Sequence, residues 1–294
     1  MDTLIYHNDR ILPLRESRLS PGQVGLLTGW GVFTTLRIYR GVPFAFERHW
    51  ARMTRDAVRL QVQLPYAQEA VREAVEELAR ANQRPEGMAR ISFVKNHGGL
   101  WAQAEDRPEA DLLIFTRELP AWPPVQRLQI QPKGIFSAGE YAGTKMLSWV
   151  SHVGVLEEVH ARGFDDALLL NEKDHLSECT SANVYLVSNG SVLTPPLDSG
   201  CLAGITREVI LEIAPRAGVR VVEQELTTND LTKAEEVFIS STTREVAAVG
   251  AISPDWKYQA PGKVTERLEH AFREYTESYV NQRSARIRST SSSV

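Results

Sequence analysis

The chain has 294 residues, enough for two domains of ordinary size, and its 43% hydrophobic and 24% charged content is that of a folded globular protein, not a disordered one. A net charge of −4 gives no general attraction to nucleic acid or an anionic membrane, and no apolar stretch approaches the roughly 20 residues that span a bilayer. The two cysteines, Cys179 and Cys201, form neither a metal-ligand spacing nor a disulfide framework, and no basic-then-apolar leader opens the chain. No metal and a cytoplasmic location are therefore expected.

Val32 to Tyr39 is rich in β-branched, aromatic and aliphatic residues and is predicted as a strand, with a turn at Gly41 and a second strand from Val42 to Phe46. Trp50, Met53, Ala57 and Leu60 recur at helical spacing over His49 to Leu60, and Val71, Val75, Leu78 and Ala79 do so over Gln68 to Asn82. Ala89 to Val94 and Asp111 to Thr116 are predicted as strands, separated by a polar, Gly-containing loop from Lys95 to Pro108. Pro120, Pro123 and Pro124 can continue neither element. They divide the chain into an N-terminal α+β domain over 1–118, a linker over 119–125 and a second domain over 126–282.

The second domain is expected to begin with a strand from Arg127 to Pro132, followed by a helix from about Met146 to Arg162 that Gly163 ends. Strands from Asp166 to Asn171 and Asn183 to Val187 flank a turn at Glu172-Lys173-Asp174. A helix over Thr206 to Ala217, a strand over Val219 to Glu223, a short turn or helix over Asn229 to Ala234, a strand over Val237 to Ser240 and a helix over Val264 to Val280 complete it. Residues 283–294 are rich in Ser and Arg with almost no apolar content, which predicts a disordered tail.

Three segments carry chemistry. Lys145 follows Gly143 and Thr144, small residues that permit close backbone approach, and is the catalytic candidate. Taken alone it reads as one more solvated lysine. Glu178 lies in a strand-turn-strand context, with Ser181 and Asn183 close enough in sequence to orient it; by position alone it is a turn carboxylate. Gly204-Ile205-Thr206 opens a helix, where Thr206 suits an N-cap and the free N–H groups suit a phosphate. Ser240, Ser241, Thr242 and Thr243 form a second hydroxyl cluster, and Arg52 is the guanidinium candidate for a dianion. An amine, a carboxylate for a pyridine nitrogen and a helix start for a phosphate are what pyridoxal 5'-phosphate (PLP) requires.

On these segments the chain resembles the class IV aminotransferases, the PLP enzymes of fold type IV, which include branched-chain and D-amino acid aminotransferases and aminodeoxychorismate lyase. The resemblance is carried by Gly29 to Phe33, His49 to Met53, Thr144-Lys145, Gly163 to Ala167, Ser177 to Asn183, Leu202 to Arg207 and Val237 to Glu245, in the family's order. It implies a mixed α+β, two-domain fold, with a small N-terminal domain roofing the substrate pocket and a larger C-terminal domain holding the cofactor on a barrel-like sheet. It implies Lys145 as the Schiff-base lysine and Glu178 as partner of the pyridine nitrogen. Arg52, Ile205, Thr206 and Thr242 resemble the phosphate ligands, with Gly204, Ser181 and Ser241 beside them, and Leu202 matches the residue that packs on the ring face. A homodimer with a shared active site is also implied.

Substrate specificity is expected from Phe33, Thr35 and Arg37 on one strand, from His97, Leu100 and Trp101 in the following loop, and from Thr243. D-amino acid aminotransferases have a tyrosine where Phe33 stands and an Arg-x-His trap in that loop. The lyase has Gly-Gly-Arg where this chain has Gly98-Gly99-Leu100, although Phe33-Thr34-Thr35 matches its pattern. The expected reaction is transfer of an amino group from an apolar, branched-chain-like amino acid or an amine to a 2-oxo acid such as 2-oxoglutarate or pyruvate. Lyase activity, with pyruvate release, is the alternative, and D-amino acid transamination stands behind it.

Overall fold

The computed structural model describes residues 1–99 and 108–291. The chain folds as two compact units, one of Met1–Pro120, Lys145–Trp149 and Thr276–Val294, the other of Ala121–Thr144 and Val150–Tyr275.

The first unit is built on strands β1 (Leu4–His7), β2 (Arg10–Pro13), β3 (Gly31–Tyr39), β4 (Val42–Pro43), β5 (Gly87–Lys95) and β6 (Ala110–Arg117). They pair antiparallel in the order β2-β1-β6-β5-β3-β4. Its helices are α1 (Val24–Thr28), α2 (Phe46–Arg59) and α3 (Gln68–Ala81). Val32, Leu36 and Ile38 of β3 pack with Met53 and Ala57 of α2 and with Val71, Val75 and Leu78 of α3. Each of the Val, Leu, Ile and Met side chains contributes about 1.5–3 kcal/mol on burial. Strand alternation then sends Phe33, Thr35 and Arg37 to the opposite face of β3.

The second unit holds β7 (Val125–Gln131), β8 (Asp166–Leu170), β9 (Leu176–Cys179), β10 (Asn183–Ser188), β11 (Ser191–Thr194), β12 (Arg220–Glu223), β13 (Glu236–Ser241), β14 (Glu245–Ser253) and β15 (Trp256–Lys257). The sheet runs β12-β11-β10-β13-β14-β7-β8-β9, with β15 beside β14. It is mixed: β7 runs parallel to both β14 and β8, whereas β10, β13 and β14 are successive antiparallel neighbours. Leu168, Leu176, Val184, Leu186, Ile239 and Val249 form its core. Helices α4 (Val150–Ala161), α5 (Ile205–Ile213) and α6 (Thr228–Lys233) lie along this part of the chain. The last helix, α7 (Lys263–Ser291), passes from the second unit into the first at Thr276.

Four expectations are corrected. Only Val42–Pro43 is strand, because Ala45 adopts a left-handed conformation (φ 50°) and Phe46 already begins α2. The stretch Lys145–Trp149 is not helical. Met146 pairs with Val32, Phe33 N–H donates to the Lys145 carbonyl at 3.0 Å, and Leu147 N–H donates to the Gly31 carbonyl at 2.9 Å, so a sheet ladder takes the bonds a helix would need. Gly204, not Thr206, is the N-cap of α5, and Thr206 occupies its first turn. Residues 283–291, expected as a disordered tail, continue α7. Arginine favours helix, and Arg283 reaches Glu47 at 3.2 Å while the Tyr279 hydroxyl donates to the same carboxylate at 2.7 Å. Strands β1, β2, β11, β14 and β15 and helix α1 have no counterpart among the sequence expectations.

Candidate active site

In the first unit Lys145 is held by its backbone. Its N–H donates to Asp56 Oδ2 at 3.0 Å and its carbonyl accepts from Phe33. Asp56 is fully buried in α2, and its other oxygen accepts from Arg55 Nη2 at 2.8 Å. The motif Gly29-Trp30-Gly31 acquires a physical meaning here: a Cβ on Gly31 would lie 2.3 Å from the Phe93 carbonyl oxygen and 2.5 Å from Leu147 Cδ1, and one on Gly29 would lie 2.5 Å from Ser148 Oγ. Absent side chains let the lysine segment lie against β3. The Lys145 amine sits 3.9 Å from the Trp149 ring centre and 4.9 Å from that of Phe33.

The same face of β3 carries Thr35, whose partner across the ladder is Arg90 of β5. The Arg90 guanidinium carbon lies 3.7 Å above the Phe33 ring, and among the described residues no carboxylate pairs with it. Burial pulls its pKa below the ordinary arginine value. Arg37, further along, stacks over Tyr39 at 4.6 Å. His97 is half-buried at the start of the loop after β5, and Leu100 and Trp101 lie outside the described residues.

Arg52 projects from α2 to the other face of β3. Its Nη2 donates to Thr34 Oγ1 at 2.9 Å, and that hydroxyl lies 2.7 Å from His49 Nδ1. Because Thr34 accepts from Arg52, its own proton is available to the imidazole. Burial first, and the Arg52 charge second, hold the His49 pKa well below the usual histidine value.

In the second unit Glu178 lies in β9 with Leu168 and Leu170 of the neighbouring β8 in the core. The carboxylate is buried; its Oε2 accepts the Leu202 N–H at 3.0 Å and its Oε1 lies 3.9 Å from His152 Nε2. Asn183 donates through Nδ2 to the Leu202 carbonyl at 2.9 Å, so Leu202 is fixed from both sides of its backbone. Helix α5 starts at Gly204 with no side chain capping its first N–H groups. A Cβ at Gly204 would fall 2.1 Å from Asn183 Oδ1. Arg207, in the first turn, is anchored away from that end by the Pro195 carbonyl at 3.0 Å and by Glu223.

Ser181 has a different task from the one expected of it. It donates to Asp166 Oδ2 at 2.7 Å and accepts from Arg244 Nη1 at 2.7 Å. Asp166 and Arg244 form a buried pair at 3.2 Å, and Asp166 Oδ1 also accepts the N–H groups of Ala167 and Thr180. Arg244 stacks on Trp122 at 3.6 Å. This network ties the turn after Glu178 to the turn of Ser241, Thr242 and Thr243. There Ser241 Oγ accepts the Arg244 N–H at 3.2 Å, and the two threonines are half-buried.

Asp56, Arg90, His152 and the Asp166–Arg244 pair were missed in the sequence. Arg90 alone left a trace there: an arginine between Ala89 and Ile91 interrupts an otherwise apolar strand. Taken unit by unit, the groups present are of the kinds PLP requires: the first unit has an amine against aromatic rings, and the second has a buried acceptor carboxylate and a helix start whose cradle a side chain at Gly204 would fill.

The family described as amino-transferase class IV matches residues 31–252. A Methanocaldococcus jannaschii protein provisionally named branched-chain-amino-acid aminotransferase is 29% identical over 92% of this chain and 95% of its own length. D-alanine aminotransferase of Listeria innocua is 27% identical over 90% of this chain and 93% of its own. Aminodeoxychorismate lyase of Bacillus subtilis is 26% identical over 96% and 98%. Among solved structures, the branched-chain amino acid aminotransferase of Escherichia coli superposes with a TM-score of 0.86 at 22% identity, covering 94% of this chain and 95% of that one. This likeness shows the fold, the fold-type IV arrangement.

Proposed function

The chain belongs to the class IV aminotransferases, PLP-dependent enzymes that act on small amino and 2-oxo acids, and on that premise we propose that it moves the amino group of an apolar, branched-chain-like amino acid to a dicarboxylic 2-oxo acid such as 2-oxoglutarate. The observation that carries this reading is Arg90. A half-buried guanidinium with no carboxylate partner among the described residues stands over Phe33, on the strand face where the Lys145 amine also stands. Burying an uncompensated cation is costly, and an anionic substrate group relieves that cost. Phe33 and Trp149 surround the amine with apolar surface suited to an aliphatic side chain.

When bound, the cofactor supplies an electrophilic carbonyl and an electron-accepting ring. Lys145 would attach it and would hold the substrate α-proton on its Nζ. On the family resemblance, Glu178 would pair with the cofactor's ring nitrogen and hold a proton there, Ile205 and Thr206 would hold the phosphate by backbone N–H groups together with Thr206 Oγ, Arg52, Ser241 and Thr242, and Leu202 would pack against the ring. Thr35, Arg37, His97 and Thr243 line the substrate side, in a homodimer that shares its active sites within the cytoplasm.

A panel of L-amino acids, D-amino acids and (R)-amines with 2-oxoglutarate or pyruvate tests the proposal. Leucine, isoleucine or valine with 2-oxoglutarate is the expected pair. Release of pyruvate from a substrate without any 2-oxo acid acceptor identifies a lyase and overturns it, as does activity confined to D-alanine. Lys145→Ala is expected to abolish both turnover and the cofactor's visible absorbance.

A further inference from the structure

His152 is the second residue to follow Val150 at the start of α4, and its side chain is only 16% exposed. Its Nε2 is buried and stands 3.9 Å from Glu178 Oε1, while its Nδ1 lies 3.3 Å from Ser151 Oγ. Glu178 Oε2 is already fixed by the Leu202 N–H at 3.0 Å. One carboxylate oxygen is thus set by backbone, and the other meets an imidazole. We propose that His152 is a positioning residue for Glu178: facing the second carboxylate oxygen, it sets the orientation of Glu178 toward a ring nitrogen.

The inference rests on Glu178 being the ring-nitrogen partner, as proposed above. Its physical basis is that a buried imidazole packed beside one carboxylate oxygen, with the other oxygen tied to a backbone N–H, limits the rotation of the carboxylate and so fixes the direction in which it can meet a ring nitrogen. Among the described residues, the buried thiols of Cys179, its β9 neighbour, and of Cys201 both feel the Glu178 carboxylate. Burial first, then Asp166, raises the Cys179 thiol well above 9.0, against a smaller opposing effect of Arg244. Burial first and Glu178 second push Cys201 up to about 12. Neither thiol changes charge near neutrality, so a change made at His152 is read without interference from them.

The holoenzyme provides the test. His152→Leu is expected to loosen PLP about tenfold in equilibrium dialysis and to move the pH midpoint of the cofactor's visible absorbance by about one unit. His152→Gln, which keeps an N–H donor, restores the larger part of both. His152→Ala serves in place of the leucine variant if that one does not fold. A folded Leu or Ala variant with the parent's PLP affinity and midpoint overturns the inference. Glu178→Gln separates the two levels. If that variant leaves affinity and midpoint unmoved, the role of Glu178 fails; if it shifts both while the His152 variants shift neither, only the role of His152 fails.

Discussion

The backbone N–H of Lys145 donates to Asp56 Oδ2 at 3.0 Å, so a carboxylate fully buried in α2 grips the residue proposed to carry the reactive amine. Asp56→Ala leaves that N–H without its acceptor, and the expected cost is about 1–3 kcal/mol of stability. Turnover is expected to fall with it, because the lysine loses one of its backbone anchors. Asp56→Asn keeps an acceptor oxygen and is expected to retain most of both. Denaturant melts and steady-state rates on the pair of variants check the difference.

Arg90→Met removes the cation over Phe33. Loss of a charge-assisted hydrogen bond is worth about 1.5–3 kcal/mol, which corresponds to a rise of roughly 10- to 100-fold in KM for 2-oxoglutarate. Pyruvate, lacking the distal carboxylate, is expected to be affected much less. Comparing KM for the two acceptors with one donor measures this, and an equal loss for both removes Arg90 from acceptor selection.

The buried His49 makes stability depend on pH. In the fold, burial and the neighbouring Arg52 hold its pKa below the 6.5 of an unconstrained histidine. Below pH 6.5 the unfolded chain therefore binds a proton that the folded chain refuses. The stabilisation is complete above that value and is lost as pH falls, at up to about 1.4 kcal/mol per unit from this group. Urea midpoints at pH 7 and pH 5 are expected to lie closer together in His49→Asn than in the parent.

Arg244→Met strands the Asp166 carboxylate, whose side chain is 0% exposed. Removing one partner of a buried pair costs about 3–5 kcal/mol. The loss is expected in the melting of the whole chain, together with the bond from Arg244 Nη1 to the Ser181 hydroxyl.

Gly204→Ala tests the cradle at α5. The added methyl must displace Asn183, whose Oδ1 lies 2.1 Å from the position it would take. Weaker phosphate retention in dialysis against inorganic phosphate and PLP is the expected outcome, with the chain still folded.

Much of this arrangement was legible in advance because it depends on local chemistry. The helical spacing of Met53 and Ala57 and the β-rich run through Phe33 each encode one element and the face it buries. Lys145 and Glu178 stood out through their neighbours. The lysine segment itself was misread, since Met146, Leu147 and Trp149 suit a helix as well as a ladder. What decides between them is β3, more than 100 residues earlier in the chain. Asp56, Arg90 and His152 escaped for a related reason. Each acquires its meaning from a partner distant in sequence, and a single charged residue in a helix or strand is more often simply solvated.

The ladder between β3 and the lysine segment is made of backbone groups, which are the same whatever the side chains. Phe33 and Thr35 can therefore be exchanged without loosening the Lys145 backbone, provided Gly29 and Gly31 stay free of a Cβ. On the proposed roles, a lineage built this way would drift from one donor to another while its lysine keeps its place, and substrate choice would evolve on the strand that secures the chemistry.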